Sequence, residues 1–307
     1  MKPRVTILLA SYNGEKFIAE QIDSIFNQNG IDINLLISDD CSSDKTLSIL
    51  INKQKFYKNK ISIISTMNNT GMAGRNFYNL IMKCNIKSEY YALADQDDIW
   101  LPNKIINLIN CMELSKSDVA SSDVIALYNN NKTRVIKKSH PQKKYDYLFE
   151  AAGPGCSYIF RKNFFEKLQL FIKKDIEKIN TFIAHDLLIY AYARKNFFKW
   201  IIAKDDQLLY RQHDNNVLGA NVGAGATFKR LSIIFSGEWL RQVNILLDLL
   251  NFNYLANKNL KLLFFCLKNI FCLRRQMLFS ISIPFIIIFS IVLLRFRKTI
   301  LFIRGKI

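Results

Sequence analysis

Over its first hundred residues the chain repeats one unit: a short apolar run, a polar turn, then a stretch with helical spacing. Val5-Thr6-Ile7-Leu8-Leu9-Ala10 is nearly continuous in apolar side chains, as in a central strand buried on both faces. Ser11-Tyr12-Asn13-Gly14 follows as a turn, and Ile18, Ile22, Ile25 and Phe26 then fall at i, i+4, i+7 and i+8 on one helical face. Ile33 to Ser38 predicts a second strand, Asp39 to Asp44 a turn, and Thr46 to Ile51 the start of a helix capped by Ser43 or Asp44. Ile61 to Thr66 is a third run, Asn68 to Gly74 a loop, Arg75 to Cys84 a helix, and Tyr90 to Ala94 a fourth run. This alternation predicts an α/β, Rossmann-like, mostly parallel sheet flanked by helices, with right-handed crossovers. The polar turns then gather at the carboxyl ends of the strands, the rim where open parallel sheets bind ligands.

The fourth run ends abruptly in Asp95-Gln96-Asp97-Asp98-Ile99-Trp100. Three carboxylates within four positions repel one another, so a compensating cation is expected. Asp95 and Asp97 form an Asp-x-Asp pair, which can share Mg2+ or Mn2+ and leave the remaining positions to water and substrate phosphate. An isolated Asp-x-Asp equally describes a solvated acidic turn, so the rest of the chain decides. Neither G-x-G-x-x-G nor G-x-x-x-x-G-K-[ST] occurs. That leaves a nucleotide whose diphosphate is held by a metal, not by a glycine loop.

Further on, a helix is expected from Trp100-Leu101-Pro102 to about Leu114, and one strand from Val119 to Tyr128. Asn129 to Phe149 reads as polar, basic and irregular; Gly153-Pro154-Gly155-Cys156 reads as a turn feeding a strand from Ser157 to Phe160. Helical spacing follows to about Lys173, and Trp200 to Ala203 and Gln207 to Tyr210 are strand-like.

The composition is half apolar, which excludes a disordered chain, and 307 residues suffice for a full core. Six scattered cysteines, without a Cys-x-x-Cys pair, fit small buried residues in a reducing cytosol. Pro3 to Ala10 lead directly into a strand-like run, so no signal peptide is expected. The formal charge of +18 is unevenly placed: from Leu249 onward there is no Asp or Glu, but ten basic residues. Met277 to Leu294 is uncharged and about 27 Å long as a helix, just short of a bilayer's roughly 30 Å hydrocarbon core. Arg274 and Arg275 precede it, and Arg295, Arg297 and Lys298 follow. These features predict residues 226–307 to be a helical, membrane-associating tail behind a catalytic domain of residues 1–225. The tail would lie on or dip into the cytoplasmic side of the bacterial inner membrane, its charges at lipid headgroups. Packing of the tail on protein is the other reading. The basic loop Lys137 to Lys144 has no stacking residues arranged for nucleic acid, so none is expected as a partner.

Val5 to Ile25, Ile37-Ser38-Asp39-Asp40, Asp95 to Trp100, His185-Asp186 and Tyr210-Arg211-Gln212-His213 together resemble bacterial family 2 glycosyltransferases of the GT-A fold, rhamnosyltransferase-like members in particular. The resemblance covers about residues 3 to 225. It implies that Ala10, Ser11 and Tyr12 hold the nucleobase and ribose of a nucleoside-diphosphate sugar. Asp40 would bond the base, with Asp39 beside it and Arg75 near the donor. Asp95 and Asp97 would face ribose and metal, and His213 the metal or diphosphate. Gly155, Cys156 and His185 would line the acceptor side, and Asp186 would be the catalytic base. Plain turn, packing and helix-cap roles are the alternatives for Asp39, Cys156 and Asp186. The resemblance implies an inverting transferase that moves rhamnose or another hexose to a hydroxyl of a glycan or lipid-linked acceptor in surface polysaccharide synthesis. Gln-x-x-Arg-Trp, carried by processive synthases of the family, does not occur, which favours addition of one or a few sugars.

Three other functions compete: sugar transfer to a polyprenyl phosphate, metal-dependent nucleotidyl transfer, and a non-catalytic membrane scaffold. The first would leave Asp186 dispensable, the second would release pyrophosphate, and the third has no use for clustered carboxylates.

Overall fold

The alternating apolar runs assemble into one twisted sheet. β1 (Arg4–Ser11), β2 (Asp32–Asp39), β3 (Ile61–Ser65) and β4 (Tyr90–Asp95) are linked by α1 (Ile18–Phe26), α2 (Thr46–Phe56) and α3 (Ala73–Lys83). The β1–β2, β2–β3 and β1–β4 pairings are all parallel. Every β1 side chain from Val5 to Ser11 is buried, as the unbroken apolar run requires. The α1 residues Ile18, Ile22 and Ile25 are buried on one face of their helix. Asp44 accepts the first N–H of α2, from Thr46, at 2.9 Å.

The chain continues through β5 (Ile99–Trp100), α4 (Lys104–Ser115), β6 (Val119–Ser122), β7 (Val124–Tyr128), β8 (Thr133–Ile136), β9 (Ile159–Arg161), α5 (Lys162–Lys174), α6 (Ile176–Ile179), α7 (His185–Lys195), β10 (Trp200–Ala203) and β11 (Leu208–Gln212). The main sheet has seven strands in the order β10-β6-β9-β4-β1-β2-β3, and a second has four, β5-β11-β7-β8. β9 runs antiparallel to both its neighbours. Because β2 and β4 flank β1 on opposite sides, the strand order reverses at β1. This is the switch point at which such sheets open a crevice. The register there sets Ala10 beside Asp95 and Ser11 beside Asp39.

The structure is a computed structural model that describes residues 1–65, 69–204, 207–212 and 231–303. It divides into two compact units, Met1–Ser139 with Ala152–Asn216, and His140–Ala151 with Val217–Ile307. Residues 140–151, which the sequence reading places in the first domain, thus belong by their contacts to the second unit.

Two sequence expectations are corrected. Val119 to Tyr128 is not one strand: it breaks at Asp123, and its halves enter different sheets. The Asp123 carboxylate is buried and accepts the Ser139 N–H at 2.8 Å, the Ser139 hydroxyl at 2.7 Å and the Lys138 N–H. Nor is the following segment wholly irregular, since β8 pairs antiparallel with β7. The turn between them has Asn131 at φ 58°, a left-handed conformation that asparagine tolerates.

The second unit contains α8 (Glu238–Leu249), α9 (Asn259–Lys268) and α10 (Met277–Ile303), the last with Pro284 inside it. Arg275 is not at a headgroup. Its side chain is buried with Asp146 at 3.4 Å and Glu150 at 3.5 Å, and it donates to the Ala151 carbonyl. Arg274 pairs with Glu150 at 3.4 Å. Acidic residues of the 140–151 strap thus answer basic residues more than a hundred positions away. Among the described residues, no helix is long and apolar enough to cross a membrane.

Replacing Asp123 with Ala leaves the Lys138 and Ser139 N–H groups without their acceptor. A fully buried orphaned donor costs about 1–3 kcal/mol, and these half-buried ones fall at the lower end. The urea midpoint of unfolding should therefore fall clearly, with the slope unchanged.

Candidate active site

The acidic turn begins in the main sheet, at the end of β4, and ends in the second sheet, where β5 pairs antiparallel with β11. One ligand atom from each of Asp95, Asp98 and Cys156 lies within 4.8 Å of the others. Asp98 is almost wholly buried; its Oδ1 accepts the Arg211 N–H at 3.2 Å, and its Oδ2 has no hydrogen-bond partner among the described residues. Burial, and then the charge of Asp97, raise the Asp95 carboxyl to about 7. Burial, and then Asp97 and Asp95, push Asp98 well above the usual carboxylate range. The fully buried Cys156 thiol is pushed up as well, by burial first. The Cys156 side chain therefore faces the carboxylates and not an accessible acceptor surface.

Two cations that the sequence reading missed serve this cluster. Lys104, almost wholly buried, sets its Nζ 3.5 Å from the centroid of the Trp100 ring, and its charge opposes the rise at Cys156. Arg211 stands over the Phe17 ring at 4.4 Å, donates from Nε to the Asp97 carbonyl at 2.9 Å and pairs with Glu20 at 2.7 Å. A lysine in the first turn of a helix, as Lys104 is in α4, gives no sequence signal of burial. Arg211 lies inside the Tyr210-Arg211-Gln212-His213 stretch, for which the resemblance implies a role only at His213. His213 lies outside the described residues.

Gln96, between the paired aspartates, joins the acidic turn to the β1 turn. Its Oε1 accepts the Tyr12 N–H at 2.8 Å, and its Nε2 donates to the Tyr12 carbonyl at 3.0 Å. A Cβ on Gly14 would collide with that amide, which is the physical reason for glycine there. Ala10, Ser11 and Tyr12 thus sit at the switch point, joined to the acidic turn by register and by this amide. Asp39 accepts the hydroxyls of Ser11 at 3.0 Å and Ser42 at 2.6 Å, and so braces its own turn. Asp40 accepts the Thr70 N–H at 2.7 Å and hydroxyl at 2.8 Å. Arg75 donates to the Thr70 carbonyl at 3.0 Å and to the Asn180 carbonyl at 2.8 Å, so it bridges the loop before α3 to the segment before α7.

His185 and Asp186 open α7. The His185 ring stacks on Phe77 at 4.3 Å, and its buried Nε2 abuts Gly155, where a Cβ would collide with it. Burial lowers the His185 pKa against the opposing pull of Asp186. The Asp186 Oδ1 accepts the Leu187 N–H at 2.8 Å. Asp186 is near enough to be among the charges that raise Asp95 and the buried Tyr78 hydroxyl. The structure therefore brings Asp95, Asp97, Asp98, Cys156, His185 and Asp186 into one electrostatic neighbourhood.

A sheet of this order with acidic residues at its switch point agrees with the GT-A fold that the sequence resemblance implies. Residues 6–184 match the family model "Glycosyl transferase family 2". The chain belongs to that family and is a nucleotide-sugar glycosyltransferase of polysaccharide synthesis. It is 39% identical to the dTDP-rhamnosyl transferase RfbG of Shigella flexneri, over 76% of this chain and 81% of the relative. It is 30% identical to the UDP-Glc:alpha-D-GlcNAc-diphosphoundecaprenol beta-1,3-glucosyltransferase WfgD of Escherichia coli, over 50% of this chain and 57% of the relative. The crystal structure of S. aureus TarS 1-349 in complex with UDP shares the fold at TM-score 0.54 and 17% identity, covering 80% of this chain and 65% of that one.

Two outcomes follow from the geometry. Lys at position 211 cannot reproduce the guanidinium fork over Phe17. The substitution Arg211→Lys should cost about 10–100-fold in kcat/KM, by analogy with lost supporting shells at metal sites, while the circular dichroism spectrum stays that of wild type. For Asp95 the folded chain holds the proton more tightly than the unfolded chain. Its contribution to stability is then fully present below the ordinary value of 3.8 and is lost as the pH rises towards 7. Urea midpoints measured across that window should fall more steeply for wild type than for Asp95→Asn.

Proposed function

We propose that the chain transfers rhamnose or a related hexose from a nucleoside diphosphate to a hydroxyl of a glycan or lipid-linked acceptor, with inversion. The observation that carries this reading is the placement of Asp95, Asp97 and Asp98 at the switch point, with Asp186 in electrostatic reach. The name of the Shigella flexneri relative carries a dTDP-rhamnosyl donor, and that of the Escherichia coli relative a diphosphoundecaprenol acceptor. The second supports a lipid-linked saccharide as acceptor, and the reading puts the protein on the cytoplasmic side of the bacterial inner membrane, where such an acceptor would be met.

Ala10, Ser11 and Tyr12 hold the nucleobase and ribose beside Asp95, while Asp40, ordered by Thr70, orients the base and Arg75 keeps its loop closed. The acceptor hydroxyl approaches past Gly155 and His185, and its proton passes to the Asp186 carboxylate. One positioned base of this kind contributes roughly 10²–10⁴-fold. With one base and no second carboxylate acting as nucleophile, transfer is a single displacement, hence inverting. The donor set fits a hard divalent cation, Mg2+ or Mn2+, which Asp97 and His213 would hold: the cluster is rich in carboxylate oxygen, the donor such ions take. When bound, such a cation supplies charge neutralisation to the departing diphosphate. The protonated Cys156 thiol is a poor ligand for either ion.

The test is release of nucleoside diphosphate from a panel of sugar nucleotides. Asp97→Ala should abolish transfer and weaken donor binding, and a chelator should do the same to wild type; full activity in EDTA removes the metal role. Asp186→Asn should keep donor affinity and lose at least a hundredfold in turnover. Near wild-type turnover would leave Asp186 only its local role of accepting the Leu187 N–H.

A further inference from the structure

The C-terminal helices are built inside out. On α10, Ser280 and Ser290 are fully buried together with Ile283 and Ile287, which places these four on one helical face. The opposite face carries Leu278, Phe285, Phe289 and Val292, with Leu278 81% exposed and Phe285 65% exposed. The Ser280 hydroxyl explains part of this inversion. It donates to the Ile270 carbonyl and accepts the N–H groups of Leu273 and Arg274 at 3.1 Å each, which ties α10 to the turn after α9. The two helices pack on each other. α9 buries Leu262 and Cys266 and turns Leu260, Phe264 and Leu267 outwards, a stripe at i, i+4 and i+7. Exposed Lys261 and Lys268 border that stripe on one side. A helix stable in water keeps its polar face outwards. Here large apolar side chains face out in a row on both helices, the kind of surface that marks an interaction site.

We propose that α9 and α10 form an in-plane anchor that inserts Phe264, Leu267, Leu278 and Phe285 into the acyl region of an anionic bilayer, with Lys261 and Lys268 at the phosphates. The inference rests on the membrane location proposed above and not on the sugar chemistry. Charge selects lipid over a second copy of the chain as occupant. The segment from Leu249 onward has basic residues and no acidic ones. Two copies would set like charges against each other, whereas lysines bordering an apolar stripe suit phosphate headgroups. Arg274 and Arg275, paired internally with Glu150 and Asp146, are not part of this surface.

The experiment is flotation of the purified full-length protein with vesicles of phosphatidylcholine alone or with added phosphatidylglycerol, alongside turnover on a soluble acceptor analogue. Wild type should float with the anionic vesicles, and more weakly with the neutral ones. Phe264→Gln with Phe285→Gln should lower vesicle affinity by more than tenfold, while Phe264→Leu retains it. Lys261→Gln with Lys268→Gln should lose about fivefold for each lysine, and only on anionic vesicles. Turnover on the soluble analogue should stay at the wild-type level in all variants. The proposal is overturned if wild type ignores both vesicles. It is equally overturned if the phenylalanine pair instead dissociates a lipid-free dimer in sedimentation. Absence of wild-type turnover on the analogue with intact flotation would count against the proposed donor and acceptor alone.

Discussion

The site is organised by an electrostatic difficulty: several carboxylates are gathered at the end of one buried strand. Isolated burial of even one ionised carboxylate is costly, and here three neighbours compete for the same field. The fold meets this partly from within. Lys104 lies buried on the Trp100 ring and acts on the Cys156 thiol that neighbours Asp95 and Asp98. Arg211 holds the Asp97 carbonyl and, through its own N–H, the Asp98 carboxylate. Burial first, and the neighbouring carboxylates second, still leave Asp95 and Asp98 with raised pKa values, a pattern that clusters at functional sites.

The same turn also joins the two sheets. Its first aspartate ends β4, and the strand β5 that follows pairs with β11, so Arg211 arrives from the second sheet while Ala10 and Tyr12 arrive from the first. A displacement of either sheet edge would move the carboxylates relative to the nucleotide-side turns. This explains why the residue between the paired aspartates is an amide: Gln96 satisfies both backbone groups of Tyr12, which no charged or apolar side chain could do.

Strand positions along β1 to β4 were legible because burial on both faces forces continuous apolar runs, and the acidic turn was legible because its repulsion needs a reason. The break at Asp123 was not, since one aspartate within an apolar run does not reveal that residues 138–139 will bind it. Nor was the burial of Lys104, Arg275, Asp146 and Glu150. Their composition is that of a solvated surface, and for Arg275, Asp146 and Glu150 only contacts between distant segments show that they are paired. Tyr210, whose hydroxyl burial and the neighbouring thiol and carboxylates push well up, reads in sequence as an ordinary strand residue. Like-charge clusters announce themselves locally, whereas compensated charges depend on tertiary pairing and stay silent.

The pairing across the second unit also bears on how its role can be separated from catalysis. Removing the chain beyond Leu249 would take Arg275 from the fully buried Asp146 and both arginines from Glu150. Breaking a buried pair by removing one partner costs about 3–5 kcal/mol. The strap that bears these acids runs without interruption into Ala152 and the Gly153–Cys156 turn, whose Gly155 packs against His185. A shortened protein would therefore lose stability in its second unit whether or not its helices ever meet lipid. Substitutions confined to the outward faces of α9 and α10 leave Arg274, Arg275 and Ser280 in place, and only those separate attachment from chemistry.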